Sequence, residues 1–142
     1  MSDMIKYIII LMLSSNLAWA DYGSYQVTRI HNVYDGDTVR VDLAQLPPIV
    51  GENISIRLRG IDTPEIKGKC VQEKSLAIRA RNRLRQLIDK AHTIEARDIS
   101  RGRYFRIVAD LILDNINVAD VLLAENLAVL YKGGKKHHSW CH

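Results

Sequence analysis

Apolar and polar residues alternate with period two in several separate stretches of this chain, and that pattern commits each stretch to a strand with one buried face. In residues 54–61, Ile54, Ile56 and Leu58 point one way while Ser55, Arg57 and Arg59 point the other. In residues 103–113, Phe105, Ile107, Ala109, Leu111 and Leu113 share a face opposite Arg106 and Asp110. Residues 39–43 and 93–97 alternate over shorter lengths. Residues 25–33 are rich in β-formers but lose the alternation between Val27 and Ile30, which predicts a bulge. Pro47-Pro48 and Gly51 mark a loop after the second strand, and Asp114-Asn115 a turn after the fifth.

Two helices interrupt these five strands. From about residue 71 to 90, Ala77, Ala80, Leu84, Leu87 and Ala91 recur at three- and four-residue steps, with Arg79, Arg81, Arg83 and Arg85 largely off the stripe. The second helix follows Asn117, a good N-cap, with Asp120 in its first turn and Val118, Val121, Leu122 and Leu127 on its apolar side. Three strands, a helix, two strands and a helix give an α+β, mainly β, chain. The count matches a five-stranded Greek-key barrel of the oligonucleotide-binding (OB-fold) type, although other α+β folds share it.

Composition narrows the class further. At 142 residues, 47% hydrophobic and 25% charged, the chain has room for one ordinary domain and is too apolar for intrinsic disorder. Lys+Arg of 20 against Asp+Glu of 16 gives a net charge of +4, which makes an anionic partner plausible without requiring one. Residues 1–20 carry Lys6, a short apolar run from Tyr7 to Leu13 and an Ala18-Trp19-Ala20 end. That run is shorter than the ~20 apolar residues that span a bilayer, so the stretch reads as a secretory signal cleaved before Asp21. The expectation is an exported protein, periplasmic or secreted, with one domain over residues 21–142, a short tail from about 132 and no stable membrane association after cleavage. Export would put Cys70 and Cys141 in an oxidising compartment, where they could bridge or remain two free thiols. His137, His138, Cys141 and His142 could alternatively be read as a metal cluster, but at no standard ligand spacing.

Acidic residues gather in two loops at strand ends. In Tyr34-Asp35-Gly36-Asp37-Thr38, a glycine sets two carboxylates two positions apart. In Gly60-Ile61-Asp62-Thr63-Pro64-Glu65, a proline stiffens the loop between two more. Carboxylates and carbonyls with no neighbouring His or Cys suit a hard cation such as Ca²⁺ or Mg²⁺. Either loop alone is weak evidence, and Asp-Gly-Asp in isolation reads more readily as a simple turn with Asx hydrogen bonds. Arg57 and Arg106 could be solvated surface charges; held beside a metal, they could instead grip a phosphate and stabilise charge developing on its oxygens.

These segments, together with Ile56-Arg57-Leu58-Arg59 and Arg103-Tyr104-Phe105-Arg106, resemble in order the three signature segments of the staphylococcal nuclease (thermonuclease) family, over roughly residues 25–131. The resemblance implies an oligonucleotide-binding barrel and a Ca²⁺-dependent nuclease that acts on DNA and RNA. It also implies cleavage of the P–O5′ bond, leaving 3′-phosphates. By the same resemblance, Asp37 and Asp62 ligate the metal through carboxylates and Thr63 through its backbone carbonyl, with Asp35 a further acid nearby. Glu65 orients or deprotonates the attacking water, and Arg57 and Arg106 bind the scissile phosphate. Arg103 and Tyr104 match positions that contact a terminal phosphate, and Tyr131 is a candidate nucleic-acid contact or a residue of the helix rim.

The sequence departs from the best-known member in two places. Phe105 stands where that protein has glycine, and the residues after the second helix leave no room for its long third helix. A Cys70–Cys141 bridge with Trp140 would pin the tail in that helix's place. A monomer is expected. Two competing readings are a catalytically inactive nucleic-acid-binding module of the same fold and an oligosaccharide- or protein-binding barrel. The first would ordinarily lack some of the acids and arginines, all of which are present here.

Overall fold

The computed structural model describes residues 22–142, so the expected leader at 1–20 lies outside the described residues. Along the chain come β1 (Tyr25–Val33), β2 (Thr38–Leu43), α1 (Pro48–Gly51), β3 (Ile54–Leu58), β4 (Ile61–Asp62) and α2 (Val71–Lys90). After these come β5 (Ile94–Arg101), β6 (Ile107–Leu113), β7 (Ile116–Asn117), α3 (Val118–Ala124) and β8 (Val129–Leu130). The five long strands pair in the order β3-β2-β1-β5-β6, and a parallel pairing of β3 with β6 closes them into a barrel. This is a mixed five-stranded barrel consistent with the oligonucleotide-binding type, the one among the α+β folds sharing that element count that the family resemblance implies. Short β4 and β8 pair with each other beside it.

Inward-facing residues fill the barrel: Val39, Val41, Ile56, Ala96, Ala109 and Leu111 are wholly buried. The β1–β2 register slips between Val27 and Arg29, where the broken alternation predicts a bulge, and again between Ile30 and Asn32. Helix α2 buries Glu73, Ala77, Ala80, Leu84 and Ile88. Ile88 joins the stripe, and the expected Leu87 and Ala91 are partly buried and pack against the same core. Asn117 caps α3 as predicted, its side chain accepting from the Ala119 amide. Burying each of Leu84, Leu111 and Leu122 contributes about 1.5–3 kcal/mol.

Several boundaries differ from the expectation: β5, expected over 93–97, runs on to Arg101. The 54–61 stretch breaks at Gly60, whose φ of 79° ends β3 and lets β4 start in a new direction. The expected Pro-rich loop contains a one-turn helix, α1, with proline in its first turn. The largest correction concerns residues 103–106, which are not strand. β6 begins at Ile107, opposite Arg101 of β5, so residues 102–106 must make the hairpin connection. Tyr104 and Phe105 both adopt a φ of 58° to do it. Arg106 accordingly precedes β6 instead of lying on its polar face.

Candidate active site

The 34–38 loop is closed by the Tyr34 amide donating to the Thr38 carbonyl at 3.0 Å. Gly36 is needed there for space: a Cβ would come within 2.8 Å of Ala80 Cβ and 2.9 Å of Thr63 Cγ2. Its φ lies outside the left-handed range, so close approach to α2 and to the second acidic loop explains the glycine better than freedom to turn. The Asp37 amide donates to Asp35 Oδ1 at 3.1 Å, and Asp37 Oδ2 accepts from the Thr63 amide at 3.0 Å. Asp62 is fixed by pairing opposite Val129. Asp35, Asp37, Asp62 and Thr63 are all buried.

Arg57 stands between two of these acids. Its Nη1 is paired with Asp37 Oδ2 and its Nη2 lies 3.3 Å from Asp62 Oδ1, with a further bond to the Ile61 carbonyl at 3.2 Å. Its side chain is only 14% exposed, so this arginine is an internal ion-pair partner and not a solvated charge. Burial opposes charge on the guanidinium, but Asp37, then Asp62 and Asp35, outweigh it and hold the arginine above its ordinary pKa. Burial likewise pushes Asp37 up, and Arg57 more than reverses it, leaving Asp37 below the usual carboxylate range. Asp35 has less compensation: burial, with Asp37 beside it, pushes its carboxyl to about 7. Tyr131 sits just after β8, not on a helix rim, with its ring 5.8 Å from the Arg57 guanidinium carbon, within cation–π reach.

An open cleft of about 740 Å³ brings Asp35, Asp37, Arg57 and Glu65 to one surface with Arg103, Tyr104, Arg106 and Tyr131. The parallel β3–β6 pairing sets Arg57 opposite Val108, so the 102–106 loop opens beside Arg57. Arg106 is half-buried, and its Nε is buried with no hydrogen-bond partner. Tyr104 and Phe105 are 90% and 96% exposed at the loop tip.

Two residues that the motif reading passed over organise the second acidic loop. Glu73, buried in the first turn of α2, accepts from the Glu65 amide at 3.4 Å and the Lys69 amide at 3.2 Å. The Glu73 amide in turn donates to Cys70 Sγ at 3.4 Å. The Cys70-x-x-Glu73 spacing, that of a capping box with cysteine at the N-cap, was the available signal. Lys136 is the other, its Nζ 2.7 Å from Asp62 Oδ1 and 2.8 Å from Glu65 Oε1. Burial works against its charge, but the hydrogen bonds to Asp62 and Glu65 prevail and raise its pKa above the ordinary value. No spacing rule could have flagged it, because the partners are some 70 positions away.

Cys70 and Cys141 form a disulfide, so the Cys141 sulfur is committed to that bond rather than to a metal cluster in the tail. Trp140 is half-buried beside it, packed edge-on against His138.

The donor set fits a hard cation. Asp37 and Asp62 carboxylates with the Thr63 carbonyl offer only oxygen, and the buried Thr63 Oγ1 has no hydrogen-bond partner. Two carboxylates and a carbonyl are few for an ion that takes 6–8 oxygens, and such a site suits one that fills its shell with water and phosphate.

The family model described as staphylococcal nuclease homologue matches residues 55–139. That stretch includes Arg57, Asp62, Glu65, Arg106 and Lys136, whereas Asp35 and Asp37 precede it and join the site through the bonds of Asp37 to Arg57 and Thr63. No curated protein matches the chain.

Proposed function

The chain belongs to the staphylococcal nuclease homologue family, and from that premise we propose that it is an exported, Ca²⁺-dependent phosphodiesterase that cuts DNA and RNA in this cleft. The observation that carries the reading is Arg57, fixed between Asp37 and Asp62 in the same cleft as Arg106 and Glu65. A silent binding module has no need of a buried arginine held by two acids, since phosphate positioning alone is served by solvated lysines and arginines.

Asp37, Asp62 and the Thr63 carbonyl would hold the cation, which when bound supplies Lewis-acid polarisation of the phosphate oxygens. Mg²⁺ is the alternative ion. Arg57, already oriented by its acids, meets the substrate phosphate with its guanidinium and stabilises charge developing in the transition state. Arg106 approaches from the loop side with an Nε free to donate. Glu65 takes the proton of the attacking water as the new P–O bond forms, and the P–O5′ bond breaks; the departing 5′-oxygen takes a proton from solvent, leaving one product with a 3′-phosphate and the other with a 5′-hydroxyl. Arg103 and Tyr104 receive the neighbouring phosphate, and the exposed rings at the loop tip meet bases. Export is supported by the leader-like residues 1–20 and by the disulfide, which persists in oxidising compartments.

Incubation of the purified protein with single- and double-stranded DNA and RNA in Ca²⁺ or Mg²⁺, followed by end-group analysis, tests this. Products with 3′-phosphate ends are expected. Salt-sensitive binding without any cleavage would identify the inactive module instead.

A further inference from the structure

The chain leaves the barrel beside its own acidic loop and then turns back onto it. β8 pairs with β4, and the Tyr131 amide donates to the Gly60 carbonyl at 2.9 Å. Gly133 and Gly134, at φ of 94° and 76°, reverse the direction, and the Tyr131 hydroxyl donates to the Gly134 carbonyl at 2.6 Å to fix the reversal. Nothing lies within 4 Å of either glycine's Cβ position, so conformation rather than crowding calls for glycine. On the return, Lys136 meets Asp62 and Glu65. Five residues later Cys141 is bonded to Cys70, at the start of α2. Lys136 is therefore anchored on both sides, by β8 before it and by the disulfide after it.

We propose that Lys136 is a tethered counter-ion of the acidic end of the site: it occupies Asp62 until a divalent cation binds, must leave that carboxylate for the cation to enter, and so sets the affinity for divalent cations. The inference rests on the reading of Asp37, Asp62 and Thr63 as the cation-holding residues. One Asp62 oxygen already serves both Lys136 and Arg57, at 2.7 and 3.3 Å. A hard cation would approach the same carboxylate to about 2.3–2.6 Å, which puts an ammonium and a divalent ion at close quarters unless the ammonium moves. Lysine suits such a role because it is a compact charge on a flexible stem, whereas the fork of Arg57 is held in place. Lys136 need not go far, because Glu65 is exposed and stays available to it. The tether makes the competition intramolecular, so it persists however dilute the protein is.

Calorimetric Ca²⁺ titration of the disulfide-intact protein, of Lys136→Met and of Lys136→Arg tests this without recourse to activity. The Lys136 side chain is 41% exposed, so both variants should keep the fold, which thermal unfolding verifies. Lys136→Met should bind Ca²⁺ at least about tenfold more tightly, equivalent to ~1.4 kcal/mol, and Lys136→Arg should stay near the parent. Freeing the tail with Cys70→Ser and Cys141→Ser should tighten binding in the parent but not in the Lys136→Met background. Equal affinities for the parent and Lys136→Met would overturn the counter-ion role and leave the cation site standing. No Ca²⁺ binding by any of these proteins would overturn the cation reading itself and this inference with it.

Discussion

Arg57 and Arg106 face one cleft from supports of opposite kinds. Arg57 rises from near the end of β3, its side chain largely buried and paired with Asp37 and Asp62, on backbone hydrogen-bonded to β2 and β6. Arg106 ends a connection of residues 102–106 in which two aromatic residues adopt φ of 58°, and among the described residues no ion pair holds it. The comparison separates two ways of holding an arginine at one cleft. One arginine is preorganised by charges that must be buried in any case, and its loss leaves Asp37 without a charged partner while Asp62 keeps only Lys136. The other sits on a locally strained loop, and under the proposed function its interactions are completed only by substrate. Removing the first should therefore damage both stability and turnover; removing the second should damage turnover alone.

The largest effect is expected for Arg57→Ala. Stripping Asp37 and Asp62 of their buried partner should cost about 3–5 kcal/mol by chemical denaturation. Turnover should fall by ~10²–10³ in whatever fraction stays folded. Next comes the brace behind the acidic loop: Cys141→Ser should cost about 2–5 kcal/mol, the range for a native disulfide in a small secreted domain. Arg106→Ala should lower turnover by ~10² or more. Its stability should stay within about 0.5 kcal/mol of the parent, since no partner is abandoned. A loss of several kcal/mol there would break the comparison, because it would show that the loop arginine is structural too.

Two smaller effects sharpen it. In the folded protein Asp35 keeps its proton to about 7, whereas the ordinary value is 3.8. The stability this contributes is full below the ordinary value and is lost as pH rises from there toward 7. Asp35→Asn keeps the acceptor for the Asp37 amide and removes the titration. In excess chelator it should match the parent near pH 4 and exceed it by about 1–3 kcal/mol at pH 8, measured by urea unfolding. Phe105→Gly should raise stability by about 0.5–1 kcal/mol in thermal unfolding, because glycine takes a positive φ without penalty and the 96%-exposed ring gives up almost no burial. A stabilising truncation in the loop beside a destabilising one in β3 is the signature that the two halves differ.

The same contrast explains what could be read from the chain beforehand. Strands with a buried face announce themselves by alternation, so β2, β3, β5 and the bulged β1 were legible, as was the long stripe of α2. Alternation misled at 103–106, where Phe105 continues the apolar register but the hairpin needs those residues for its turn. The acids and Arg57 were visible as motifs, yet the burial of Arg57 was not, since its polar-face position in β3 looks the same whether water or carboxylates lie opposite. Lys136 was invisible in principle. Its role depends on a tail folded back by two glycines and a disulfide, and that is long-range geometry without a local pattern. Glu73 lay between these cases, signalled only by a capping-box spacing headed by a cysteine.

The central claim is that this cleft hydrolyses phosphodiesters with a weakly held divalent cation. Its most direct test is the initial rate of cleavage of a labelled single-stranded DNA by the purified protein as free Ca²⁺ is raised from excess chelator. The account predicts no cleavage under chelation and half-saturation on the order of 10⁻⁴–10⁻³ M, the range for sparsely charged extracellular sites. A full rate persisting in excess chelator would contradict it.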